Sequence, residues 1–163
     1  MTNKKAFTLV ELCVVIAIFG IIALIAAPNL VTGLPKYRIK RAARDITSKI
    51  RAARSEAIKT SSNITIEFDT ARNQYNIGGD WYPDSSLSNY YGSGVSFGVG
   101  NSGETDECTF LPDNDDSITF NSRGISNNAG EIYLTNTQNA AYRIEINTAG
   151  NIHLQQWTGS EWK

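Results

Sequence analysis

The start of this chain limits its possible folds more than any other part. MTNKKAFTLVELCVVIAIFGIIALIAAPNL sets Lys4 and Lys5 ahead of an almost wholly apolar stretch. Nothing is charged from Leu12 to Ala27, and Phe7 to Val31 spans 25 residues. As helix, at ~1.5 Å per residue, that is ~37 Å, more than the ~30 Å hydrocarbon core of a bilayer. A secretory signal has a shorter apolar region and a small-residue cleavage site; Ala26-Ala27 before Pro28 imitates one only in outline. Glu11 does not belong in such a signal. A carboxylate in lipid costs at least ~2.5 kcal/mol, so either Glu11 lies shallow and snorkels to the interface or it pairs with a positive group on another chain. Charge leaves the orientation open. Lys4 and Lys5 precede the segment, and Lys36, Arg38, Lys40 and Arg41 follow it. Counting cations alone favours a cytoplasmic C-terminal side.

Of the 163 residues, about 130 remain for a folded body, enough for a modest core. The formal net charge of −1 conceals a strong asymmetry. Residues 36–60 carry nine basic and two acidic side chains, a net of +7, whereas residues 61–163 carry four basic and thirteen acidic, a net of −9. An acidic body disfavours nucleic acid as its partner. The basic stretch reads as a solvated or subunit-facing surface, with a DNA- or lipid-binding surface as the other option. Cys13 lies in the apolar segment and Cys108 in a loop, so the fold stands without a disulfide between them.

Pro28, Gly33 and Pro35 mark a kink where the helix leaves the membrane. KYRIKRAARDITSKIRAARSEAIKT then repeats apolar residues at helical spacing: Ile39, Ala42, Ala43, Ile46, Ile50, Ala53, Ala57 and Ile58. This stripe is expected to pack on a sheet. After Thr60 the period becomes two. Ile64, Ile66 and Phe68 form a strand, residues 69–73 a turn, and Gln74 to Ile77 the returning arm. Residues 78–116 read as a long loop with one short strand near Val95 to Val99. Trp81, Tyr82, Tyr90 and Tyr91 within it either cap the core or offer a contact surface. The C-terminal part reads as a meander through Ile118 and Phe120, Ile132 and Leu134, Tyr142 to Ile146, and Ile152 to Trp157.

No constellation supports an enzyme. His153, the single histidine, alternates away from Ile152 and Leu154 toward solvent and lacks the company of a triad or zinc site. Asp113, Asp115 and Asp116 offer oxygen ligands for a loop calcium, but the EF-hand spacing is absent and a solvated acidic loop is the plainer reading. No other cofactor is expected. The glycines of GSGVSFGVG lack the strand-loop-helix frame of a phosphate site.

Ala6-Phe7-Thr8-Leu9-Val10-Glu11-Leu12 resembles the cleavage and methylation motif of the type IV pilin and pseudopilin superfamily. Gly20 and Pro28 fall where such proteins carry a glycine and a proline, while Ala6 departs from the usual glycine before the scissile bond. SITFNSRGISNNAGEIYLTN, YRIEINTAGNIHLQQW and the helical Ala-Ala-Arg-Ser-Glu-Ala-Ile resemble the GspH/FimT branch. The resemblance implies an α+β ladle, with a long N-terminal helix packed on an antiparallel β-domain. It implies a leader over 1–6, a transmembrane and polymerisation helix over 7–35, an amphipathic helix over 36–60, and a periplasmic domain over 61–163. Cleavage between Ala6 and Phe7 by prepilin peptidase, N-methylation of Phe7, and assembly through Glu11, Leu12, Gly20 and Pro28 follow as expectations. The implied protein is a minor pseudopilin of a type II secretion system or a minor pilin of a type IV pilus. Its implied partners are other pilins, the peptidase/methyltransferase, the inner-membrane assembly platform and membrane lipid. DNA is unfavoured, since the C-terminal QQWTGSEWK lacks the basic cluster by which FimT-type pilins bind it.

Overall fold

The computed structural model describes residues 7–111 and 116–163, with backbone alone for 25–32 and 111. Ala6, the leader, Asp113 and Asp115 lie outside the described residues, as does the side chain of Pro28. Helix α1, Leu9–Thr60, remains helical through Pro28 and Pro35. The chain divides into two units at Leu34 and Pro35.

In the first unit, the described side chains from Leu9 to Leu24 are exposed on every side of the helix. Leu9, Val10, Leu12, Val14, Ile16, Phe19 and Leu24 are all more than half exposed. Among the described residues, no helix is long and apolar enough to cross a membrane. The described apolar run, Leu9 to Leu24, covers ~24 Å at ~1.5 Å per residue, short of the ~20 residues that a span requires.

The second unit, Pro35–Lys163, carries its own core. The later part of α1 buries Ile39, Ala42, Ala43, Ile46, Ile50, Ala53 and Ala57 at spacings of three and four. Thr47 is also buried because its hydroxyl donates to the Ala43 carbonyl at 2.6 Å, which hides the polar group within the helix. Ile58 departs from the expected stripe: it is 46% exposed and lies over Gly124.

Two antiparallel sheets complete the unit. One has the order β3-β2-β1-β6, from Asp80–Tyr82, Gln74–Ile77, Ile64–Asp69 and Ser117–Phe120. Its β1–β2 hairpin turns at Asn73, which has positive φ. The other has the order β4-β7-β8-β9, from Ser96–Phe97, Ala129–Thr135, Tyr142–Ile146 and Ile152–Gln156, with β5 (Cys108–Leu111) also on β7. Ile66, Phe68, Ile118 and Phe120 from the first sheet and Phe110, Ile132, Leu134, Ile144 and Ile146 from the second share one core with α1.

Two expectations are corrected. β6 pairs with β1, not with the C-terminal strands, so the meander is β7-β8-β9 alone. Residues 78–116 do not form a loop with a single strand. They contain β3, the short helix α2 (Leu87–Tyr91), β4, a 3₁₀ turn (Gly100–Ser102) and β5. Leu87, Tyr91, Val95, Phe97 and Phe110 anchor the segment in the core. The apolar residues are too few and too widely spaced to show a period, so the segment folds by tertiary burial.

Arginines on α1 fasten it to the sheet ends. The Arg54 Nε donates to the Gly124 carbonyl at 2.8 Å, and the Arg51 Nη2 to the Ile152 carbonyl at 3.1 Å. The Asn136 side chain holds the other end. Its Nδ2 donates to the Pro35 carbonyl, while its Oδ1 accepts from the backbone of Gln138 and Ala140. The C-terminus folds back so that the Lys163 and Gln156 backbones exchange hydrogen bonds at the outer side of β9.

Gly150 is where the Arg54 clamp tolerates no side chain. It has φ +78°, and a Cβ there would lie 2.1 Å from the Gly124 carbonyl oxygen. Gly150→Ala is therefore expected to cost about 1–3 kcal/mol. Thermal unfolding of the Pro35–Lys163 unit, followed by circular dichroism, will show the drop, and an unchanged midpoint will refute the clamp.

Candidate functional site

The first candidate surface is the start of α1. Thr8 ends the extended entry, and its Oγ1 accepts from the Glu11 backbone N–H at 3.2 Å while its carbonyl accepts from Leu12 N–H. Thr8-Leu9-Val10-Glu11 is thus a helix N-cap with an acid at the third helical position. The Ser/Thr-x-x-Glu pattern is the sequence signal of this helix start. The Glu11 position therefore has a local cause, since an acid in the first turn complements the helix dipole. The cap uses its backbone N–H. The carboxylate itself has no hydrogen-bond or ion-pair partner among the described residues.

Phe7 is 75% exposed and precedes the helix. Leu12 lies on an exposed apolar surface one residue past Glu11. Beyond Gly20's own helical neighbours, nothing among the described residues lies within 4 Å of a Cβ built on it. Glycine costs a helix interior roughly 0.5–1 kcal/mol relative to alanine, and no contact among the described residues requires it here. Pro28 lies on the same helix, with only its backbone described.

The second surface lies on the domain. The Tyr91 hydroxyl donates to Asp45 Oδ2 at 2.5 Å, joining α2 to α1. Tyr90 packs edge-on against Tyr91 but is itself 58% exposed. Lys49 Nζ sits 4.0 Å from the centroid of the Tyr82 ring, which in turn stacks on Tyr75. The loop aromatics therefore divide: Tyr91 and Tyr82 serve the core, whereas Trp81 and Tyr90 face outward. Burial, and then Asp45, push the Tyr75 and Tyr91 hydroxyls well above the ordinary tyrosine range. Burial likewise pushes up the Cys108 thiol, with Asp116 adding to it, so this free cysteine is a core residue.

Arg143 is engaged on every side. Arg143 donates to Glu131 Oε1 and Gln155 Oε1 and stacks 4.8 Å from the Trp162 ring centre. His153 is exposed opposite Glu145 on β8. Among the described residues, no three metal-ligating side chains converge. Asp116 is exposed, and its carbonyl accepts from Phe68 N–H.

Residues 1–27 match the prokaryotic N-terminal methylation motif, and residues 42–150 match the family model of type II transport protein GspH. This chain belongs to the GspH family. Within the type IV pilin and pseudopilin superfamily, that family consists of structural subunits, not enzymes. Two fimbrial proteins of Pseudomonas aeruginosa are each 34% identical to this GspH-family chain over 96 residues, 59% of its length. The match spans only 58% of each relative's length. The fold is that of the type IV minor pilin FimU of the same organism, at a TM-score of 0.52 and 15% identity, covering 78% of this chain and 94% of the other. A second crystal form of FimU gives a TM-score of 0.50.

The buried tyrosines give this GspH-type domain an alkaline limit. Unfolded tyrosine titrates near pH 10. The folded pair stays protonated above that, so its stabilisation is complete below pH 10 and lost as pH rises beyond it. Stability is expected to fall by up to about 1.4 kcal/mol per pH unit for each tyrosine. Urea unfolding of the Pro35–Lys163 unit from pH 8 to 11 will show this fall, and Tyr91→Phe will make it shallower by removing one of the contributing hydroxyls.

Proposed function

We propose that this chain is a minor subunit of a pilus-like filament assembled at the bacterial inner membrane, within a type II secretion pseudopilus. The observation that carries this reading is the surface of α1 from Leu9 to Leu24, apolar on every side and bearing one unpartnered carboxylate. A helix apolar all round needs lipid or other helices around it. In sequence the apolar run continues through Ala27, long enough to reach across a bilayer once.

In this reading, prepilin peptidase cuts between Ala6 and Phe7, and the exposed Phe7 amine is methylated. Residues before the segment stay in the cytoplasm, and the β-domain stands in the periplasm. The subunit waits in lipid as a single-pass protein until the assembly platform moves it into the filament, among other pilins. There Glu11 neutralises the Phe7 amine of a neighbouring subunit. Low dielectric strengthens that attraction and desolvation opposes it, so the pair sets register more than it adds stability. Leu12, Gly20 and Pro28 belong to the helical segment that other helices cover, with Gly20 allowing a close approach. No cofactor takes part, and the loop calcium of Asp113, Asp115 and Asp116 is not needed.

A second reading, a minor pilin of a type IV pilus, is favoured by the 34% identity to fimbrial proteins. Deletion in the native host separates the two. Loss of protein secretion with intact pili supports the pseudopilus, and loss of pili with intact secretion supports the pilus.

Glu11→Gln removes the charge without changing the shape. Leaving one buried charge unpaired costs roughly 3–5 kcal/mol, so incorporation into sheared filaments is expected to fall by at least about tenfold. Mass spectrometry of the mature N-terminus should give methylated Phe7. Retention of residues 1–6, or cleavage after Ala27, will refute the scheme. Gly20→Ala should leave the domain's unfolding unchanged but lower incorporation, and equal incorporation will remove Gly20 from the helix interface.

A further inference from the structure

The first three turns of the domain helix carry a surface that the filament reading leaves unused. Tyr37, Lys40, Arg41, Arg44 and Ser48 fall on one side of the helix, each three or four residues from another of the set. With Tyr90 from α2 they line an open cleft of about 580 Å³. Tyr37 is 77% exposed, the least buried tyrosine of those described as exposed. Lys36 adjoins the same face through a neighbouring cleft shared with Tyr37 and Lys40.

Charge is what makes this surface unusual. Lys36, Lys40, Arg41 and Arg44 are exposed, and none has an ion-pair or hydrogen-bond partner among the described residues. The other helix cations are engaged: Arg38 with Ser93, Lys49 with Tyr82, Arg51 with Ile152, Arg54 with Gly124 and Lys59 with Glu56. The one acid in the cleft, Asp45, already accepts from the Tyr91 hydroxyl. The free cations therefore cluster at the end of the domain helix nearest in sequence to the apolar segment.

We infer that this face docks on anionic phospholipid headgroups of the membrane that holds the apolar segment. This inference rests on the membrane-anchored reading above. Three observations select lipid. The unpaired charge is positive, complementary to a phosphodiester headgroup. Exposed tyrosines flank it, and tyrosine favours the headgroup level, where one end of the ring is apolar and the other wet. Tyr37 also follows Val31 by six residues, which span at most about 20 Å even when fully extended. A subunit anchored by that segment cannot hold this face far from the bilayer. The acidic remainder of the domain is repelled by the same headgroups, so the surface orients the domain as well as binding it.

Docking of this kind holds the domain at the membrane before assembly. It is released when the subunit leaves the bilayer, because a filament offers no lipid headgroups. Each cation held at an anionic surface contributes about a fivefold gain in association, so the four form a clamp that remains reversible.

The test uses the full chain in lipid nanodiscs, either of phosphatidylcholine alone or with a third of the lipid as phosphatidylglycerol. An uncharged amine reagent reports the modification rate of each lysine by mass spectrometry. Lys36 and Lys40 are expected to react at least about fivefold more slowly on the anionic discs. Lys59 and Lys163, exposed elsewhere, should react equally on both. One molar salt, with a screening length of ~3 Å, should abolish the protection. Arg41→Glu with Arg44→Glu, at two exposed positions, should also abolish it without altering domain unfolding.

Equal rates for Lys36 and Lys40 on both lipids overturn the inference. So does protection that rises with the number of chains per disc, which marks a subunit contact. Equal or stronger protection by single-stranded oligothymidine on phosphatidylcholine discs at physiological salt assigns the face to nucleic acid and overturns it as well. A chain that fails to co-elute with any disc refutes the membrane-anchored reading itself, an outcome separate from insertion without protection.

Discussion

The structure depends on one helix meeting two different demands along its length. From Leu9 to Leu24 α1 is apolar on every side and finds no cover among the described residues of its own unit. From Ile39 to Ala57 it is apolar on one side only, and that side closes the core of both sheets. The change of pattern matters more than either pattern alone. A one-sided stripe is satisfied by a single sheet, whereas an all-round apolar surface needs a continuous apolar surrounding. The β-domain therefore needs only the one-sided part of the helix for its core.

The stripe on α1 was legible because eight small or β-branched residues repeat at helical spacing, and all but Ile58 are buried. The β1–β2 and β8–β9 hairpins were legible for the same reason, with period-two apolar residues flanking short polar turns. The partner of β6 was not legible, because Ile118 and Phe120 show which face is buried and say nothing of which strand lies alongside. Residues 78–116 were misread because Leu87, Val95, Phe97 and Phe110 are too scattered to display a period, although all four reach the core. The proposed assembly residues, Glu11, Leu12, Gly20 and Pro28, rest on resemblance alone. Physical reading of the segment explains why an acid there is costly, but not which group answers it.

The arginines of α1 show how composition can mislead. Nine cations in 25 residues suggest a uniformly solvated face. In the structure Arg51 and Arg54 reach carbonyl groups at the sheet ends, where their forked donors satisfy backbone acceptors that no strand covers. Side chains that look alike in sequence thus divide into fasteners and free charges. Only folding separates them, since the carbonyls they meet lie about 70 and 101 residues away.

The fold-back of the C-terminus onto β9 bears on how copies of the domain can meet. An unpaired outer strand invites continuation of the sheet by another molecule. Here the carbonyl of Ile152 is taken by Arg51, and both backbone groups of Gln156 are taken by Lys163. Only Leu154 shares that outward side between them. The margin is too short to nucleate an added strand, so side-by-side ribbon growth is closed along β9.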